Sequence, residues 1–196
     1  MEKDMEVYNV PLAKMSIKSV PGRVDTKGIV SGVLISLAMI ALMQFGERLD
    51  TLFFGGLFPV SGRVISITLI GFGAAMYGLV PGLIVAEINP FISTATGSSP
   101  IAPFFFITNG LQAVAALLAN KLVKNAVSLK YCFAHSILST FLITAAYIPL
   151  HIFYFKLPWE KLIPMYSFQG VITILIPPFL LYGLLKTVKG AGFFEE

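Results

Sequence analysis

The sequence predicts an all-α integral membrane protein, a compact bundle of six transmembrane helices with both termini in the cytoplasm. Three observations carry that expectation. Of 196 residues, 56% are hydrophobic and only 12% are charged, against about 25% charged in an ordinary soluble domain. Six apolar segments can be drawn between prolines, glycines and charges, leaving too little chain for a soluble domain. Lysines and arginines then fall unevenly on the two sides of the membrane.

The first segment runs from about Lys27 to Phe45 and, at about 1.5 Å per residue, covers roughly 27 Å, close to the hydrocarbon thickness. "GRVISITLIGFGAAMYG", Gly62 to Gly78, supplies the second. A break at "LVPG", Leu79 to Gly82, turns the chain into the third, which continues to about Ser93. After the loop "TGSSPIAP" the fourth runs from Phe104 to Leu122, and the fifth from Val127 to Leu150. The sixth, "MYSFQGVITILIPPFLLYGLLK", is expected to kink or unwind at Pro177 and Pro178, because proline removes a backbone donor and clashes with the preceding turn.

With both termini inside, ten cationic residues (Lys3, Lys14, Lys18, Arg23, Lys27, Lys121, Lys124, Lys130, Lys186 and Lys189) lie on the inner side and four (Arg48, Arg63, Lys156 and Lys161) on the outer. That is the positive-inside pattern. Residues 1–26 read as a cytoplasmic tail of mixed charge without the layout of a cleaved signal peptide, 27–190 as the single transmembrane substrate-binding domain, and 191–196 as a short C-terminal tail. The outer loops, Gly46 to Ser61, Thr94 to Pro103 and His151 to Pro164, are long enough to cover a site open to the outside.

Several function classes are disfavoured by what is missing. One cysteine, Cys132, and two histidines, His135 and His151, leave no basis for a disulfide or a metal cluster. No G-x-x-x-x-G-K-[ST], H-E-x-x-H or G-x-S-x-G motif occurs, so neither nucleotide-driven transport by this chain alone nor hydrolase chemistry is indicated. No catalytic residue, bound cofactor or nucleic-acid partner is expected.

Polar side chains inside the apolar segments point to a binding site. Glu87 falls near mid-membrane on the third helix, with Asn89 about half a turn further out. Asn109 and Gln112 are three apart in the outer half of the fourth, Tyr147 and His151 end the fifth, and Tyr166 and Gln169 begin the sixth. A carboxylate facing lipid at a helix centre costs at least about 2.5 kcal/mol, so these groups should face the bundle interior. Together with Trp159, Phe53, Phe54, Phe58 and Phe104 to Phe106 they outline a pocket for a small, partly flat, polar molecule. The alternative assigns Asn109 and Gln112 to interhelical hydrogen bonds and pairs Glu87 with Arg63. Tyr147, Tyr166 and Trp159 also fit an interfacial aromatic belt, and His135 fits a packing role. Gly28, Gly32 and Ser36 recur every four residues, a flat face suited either to a partner protein or to another helix of the same bundle.

The glycine-punctuated pair "ITLIGFGAAMYGLVPGLIVAEINPF", followed by "STATGSSPIAPFFFITNG" and "LQAVAALLANKLVKN", resembles the S component of an energy-coupling factor (ECF) vitamin transporter over about Lys27 to Lys189. The resemblance implies a capture subunit in a prokaryotic plasma membrane. It would bind a vitamin or precursor from outside and associate with a membrane scaffold subunit and two ATPase subunits, which consume the ATP. It also implies that small residues of the first helix dock the scaffold, a role for Gly28, Gly32 and Ser36, with Ala38 and Ala41 on another face. The metal-transporting branch of the family is disfavoured, because its N-terminal histidine-containing motif is missing. Two other readings stay open. Glu87 would bind a proton or sodium in an ion-coupled secondary carrier, although the two halves lack matching broken helices; a membrane-embedded enzyme would have only Glu87 with His151 to offer.

Overall fold

Turn chemistry explains where this chain changes direction. A computed structural model describes residues 26–54, 60–95 and 102–190. The tails, part of the loop after the third helix and the side chains of Phe53, Phe54 and Phe58, all invoked above, lie outside the described residues. What is described is helical: α1 (Thr26–Phe54), α2 (Val60–Tyr77), α3 (Leu79–Ala95), α4 (Ala102–Val123), α5 (Leu129–Pro149), a π-helical turn (Leu150–Tyr154) and α6 (Trp159–Gly190).

Between α2 and α3 the whole turn is Gly78, at φ 94°, a left-handed conformation that glycine adopts without strain. The expected four-residue break at Leu79 to Gly82 is therefore corrected to one residue: Pro81 sits in the first turn of α3, where its missing N–H has no intrahelical role. At the α4–α5 turn, Lys124 takes φ 57° and the Ser128 hydroxyl caps α5 by accepting from the Tyr131 N–H at 3.1 Å. At the start of α2 the Asp50 carboxylate, buried at the end of α1, accepts from the Ser61 N–H at 3.0 Å and the Gly62 N–H at 3.3 Å. That places an anion on unpaired N-terminal donors and ties α1 to α2.

Among the described residues, five helices are long and apolar enough to cross a bilayer, and α3, apolar with 17 residues, is shorter. α1 has 29 residues and α6 has 32, so both run past the hydrocarbon layer into segments expected to be loops. The outer loops are correspondingly smaller: the π turn and α6 leave only residues 155–158 between them. α6 is continuous through Pro164, Pro177 and Pro178, which corrects the expected unwinding. Pro177 and Pro178 are buried, so packing holds the backbone helical where proline alone would have opened it.

α2 lies against all five other helices, while α1, α3, α4, α5 and α6 follow one another around it. Small residues allow these approaches. A Cβ at Gly73 would stand 2.8 Å from Val85, and one at Gly82 would stand 2.7 Å from Ala74, so α2 and α3 meet nearly backbone to backbone. The interior holds Met39, Ile70, Val85 and Ala113 on one side of α2 and Met76, Ala119, Leu181 and Leu185 on another. Leu34, Phe45, Phe91, Phe141, Phe153 and Phe179 are each more than half exposed. Such an apolar exterior suits acyl chains as solvent, and the chain has the build of a multi-pass membrane protein.

Candidate functional site

The polar residues read from the sequence do not form one pocket. They divide between two seams, one between α3 and α4 and one among α2, α5 and α6, and neighbouring residues of α4 turn towards different ones because they point about 100° apart. Thr108 turns to α5, where its hydroxyl is 3.5 Å from the Tyr147 hydroxyl, while Asn109 turns to α3 and donates from Nδ2 to the Ala86 carbonyl at 3.1 Å.

The α3–α4 seam contains Glu87, Asn109 and Gln112. Gln112 is fully buried and donates from Nε2 to Asn109 Oδ1 at 3.1 Å, so the two amides form a short chain ending on a backbone carbonyl. The Asn109 bond to Ala86 crosses between helices, as the hydrogen-bonding alternative has it, whereas the Gln112 bond stays within α4 and Gln112 Oε1 is buried with no partner among the described residues. Glu87 lies over Gly110, where a Cβ would stand 2.9 Å from its Oε1. Its Oε2 is buried and has no partner among the described residues. Arg63, its suggested structural partner, belongs to the other seam. Asn89 is buried further along α3, outside the pocket described next.

The second seam is formed by α2, α5 and α6 at the end where α5 finishes and α2 and α6 begin. Arg63 places its guanidinium 4.3 Å from the centroid of the Tyr147 ring. His151 Nδ1 is 3.0 Å from the Tyr147 carbonyl and 2.7 Å from the Tyr166 hydroxyl. A protonated Nδ1 donates to the carbonyl, whereas a bare one accepts from the tyrosine, so one nitrogen serves two neighbours. The π turn sets this geometry: Phe155 N–H reaches back to Leu150 O at 3.2 Å, five residues instead of four, and His151 rotates towards α6. Tyr147, Phe155 and Tyr166 all approach the imidazole with centroid distances of 5.5 to 5.7 Å.

Beneath this aromatic group is a narrow, open-mouthed pocket with a cavity volume of about 10 Å³, room for about one water-sized group, lined by Arg63, Ile67, Thr140, Ile143, Thr144, Gln169, Gly170 and Thr173. Thr140 donates to Thr173 at 2.9 Å, and Thr173 donates in turn to the Gln169 carbonyl at 2.8 Å. The Gln169 side chain is 8% exposed, and its Nε2 has no partner among the described residues.

Of the expected site residues, Tyr147, His151, Tyr166 and Gln169 are brought together, and Glu87, Asn109 and Gln112 are grouped elsewhere. Glu87 and His151, the only pair an enzyme reading had, sit in different seams. Trp159 is 53% exposed at the start of α6 and does not line the pocket. The sequence reading set Arg63, with Arg48, beside the pocket as an outer-side arginine and gave it no ligand-contact role. It also missed the threonines, although Thr140 and Thr144, and Gln169 and Thr173, are each four apart and form polar stripes on facing helices.

His135 is a packing residue, the role the sequence suited it to. Its Nε2–H donates to the Ile67 carbonyl at 3.0 Å and its Nδ1 accepts from Ser139 at 3.3 Å, so the neutral ring is satisfied at both nitrogens. No group of three or more His, Cys, Asp or Glu side chains able to hold a metal occurs among the described residues. Gly28, Gly32 and Ser36 are buried. A Cβ at Gly32 would meet the Pro81 carbonyl at 3.2 Å, and the Ser36 hydroxyl bonds Gly32 O at 2.7 Å and Ile84 O at 3.2 Å. α3 occupies that face, which corrects its assignment as a partner-docking surface. Comparison of the chain with protein-family models, with curated proteins and with solved structures finds no match.

Proposed function

We propose that the chain is the substrate-capture subunit, or S component, of an ECF-type importer. In this reading six helices span a prokaryotic plasma membrane with both termini cytoplasmic. The pocket faces outward and takes a vitamin or related micronutrient, and a membrane scaffold with two ATPase subunits supplies the energy. The observation that carries the reading is the pocket beside Arg63, in which a buried Gln169 amide nitrogen has no partner among the described residues. A bundle without a nucleotide motif binds but does not pump, so transport requires partners that favour one of its states. Because α3 covers the Gly28, Gly32 and Ser36 face, the scaffold is assigned to the open side of α1, where Leu34, Ala38, Ala41 and Phe45 follow one another along the helix.

Two measurements test the proposal. Native mass spectrometry of the chain purified in mild detergent should reveal a co-purified molecule of vitamin size. Uptake into proteoliposomes should require partner subunits and ATP; uptake by the chain alone under an ion gradient would refute the S-component reading.

That second outcome belongs to an ion-coupled carrier, which one observation favours: the buried, unpartnered Oε2 of Glu87. In that case Glu87→Gln abolishes gradient-driven uptake. Unchanged uptake in this variant removes the carrier reading.

A further inference from the structure

The pocket between α2, α5 and α6 is rich in donors and poor in acceptors of charge. Its lining includes Arg63 and Gln169 and no carboxylate. The guanidinium offers five N–H donors and no acceptor. Among the described residues, Tyr147 shares a side-chain hydrogen bond with it, and Tyr166 and His151 are the further groups within electrostatic range. Gln169 Nε2 is buried without a partner, and the protons of Thr140 and Thr173 are already committed to each other and to the helix backbone. Of the acids inside the bundle, Asp50 is taken up by the Ser61 and Gly62 N–H groups at the start of α2, and Glu87 lies over Gly110 in the other seam. Ile67 and Ile143 complete the walls, so water is a poor substitute for a fixed counter-charge.

We propose that this pocket holds a carboxylate group of the captured solute, with Arg63 as counter-charge and Gln169 Nε2 as second donor. The inference rests on the reading that the chain captures a small solute, and it narrows that solute to organic acids. Arg63 suits the role because its planar fork matches a carboxylate and because the Tyr147 ring fixes its orientation.

The test uses the full chain in detergent, without lipid vesicles, and two matched pairs of probes: benzoate with benzamide, and nicotinate with nicotinamide. Binding is read from the concentration dependence of the unfolding midpoint. At least one acid should bind roughly tenfold to a hundredfold more tightly than its amide, the range expected of hydrogen bonds to a charged group. Arg63→Gln and the nearly isosteric Gln169→Glu should each remove the preference, while Arg63→Lys should retain part of it. The midpoint of each unliganded variant reports folding, and if Arg63→Gln is unstable the Gln169→Glu result decides. Equal binding of acid and amide, no binding of either acid, or a preference that survives both substitutions overturns the proposal. Binding is measured without ATP or partners. Failure of ATP-driven uptake would therefore sink the S-component reading and leave the pocket's chemistry standing, and loss of the acid preference would do the reverse.

Discussion

The guanidinium of Arg63 lies over the face of the Tyr147 ring, 4.3 Å from its centroid. One helix thus supplies a charge and another supplies the surface that orients it, inside a bundle whose solvent is lipid. Tyr147 meets the guanidinium through its ring face and also through a side-chain hydrogen bond, while its hydroxyl contact to Thr108 is long at 3.5 Å; the ring is expected to carry most of the effect. Tyr147→Leu should lower stability by about 1 to 2 kcal/mol, the range of a desolvated cation–π contact, while Tyr147→Phe should cost well under half of that. Denaturant unfolding in detergent compares them. Equal losses would assign the effect to the hydroxyl.

Gly71 makes room for His135. A Cβ at position 71 would overlap the imidazole ring, which is fully buried and fixed by Ile67 O and Ser139. Gly71→Ala should destabilise by about 1 to 3 kcal/mol through overpacking. In a His135→Ala background the same substitution should cost much less, and the difference is the coupling energy. Additive effects in the double-mutant cycle would show that the two positions do not meet.

Asn109 holds α3 to α4 through the Ala86 carbonyl and lies outside the Arg63 pocket. Asn109→Ala should lower stability by about 0.6 kcal/mol, the average for interhelical hydrogen bonds in membranes, and by no more than about 1.7 kcal/mol. Affinity for a carboxylate probe should stay within error of the parent. A fall in affinity at unchanged stability would put Asn109 back in the binding site.

Gly32 is packed against α3, with the Pro81 carbonyl and the Ile84 side chain within 3.3 Å of where a Cβ would lie. Gly32→Leu should reduce the folded yield and the unfolding midpoint, because backbone cannot yield as a flexible side chain does. Ala38→Leu, on the open side of α1, should leave both unchanged. A stable Gly32→Leu protein that binds ligand yet fails only in uptake would return the glycine face to partner docking.

Much of the architecture was legible from local chemistry. Hydropathy marked the helices, and the mean hydropathy of +0.83 identified the solvent; the reversal between α2 and α3 was read at Leu79 to Gly82 and lies at Gly78. Helix ends were less legible. Arg48, Asp50 and Glu160 looked like loop residues because charge is a cue for water, yet α1 and α6 continue through them beyond the hydrocarbon layer. His135 was readable as a packing residue, but its partner Ile67 O lies 68 positions away in sequence and only folding brings them together.

The polar site shows the division most clearly. The sequence by itself determined that Tyr147, His151, Tyr166 and Gln169 lie near one end of the bundle, since depth along a helix follows from counting residues at a fixed rise. Which of them share a pocket was decided by tertiary structure alone. Facing depends on how each helix is rotated in the bundle, and rotation is set by contacts such as Gly73 on Val85 and Gly71 on His135 that join residues distant in sequence. That rotation turned Asn109 and Glu87 into one seam, brought Arg63 into the other, and buried a face of α1 that small-residue spacing alone had left open to a partner.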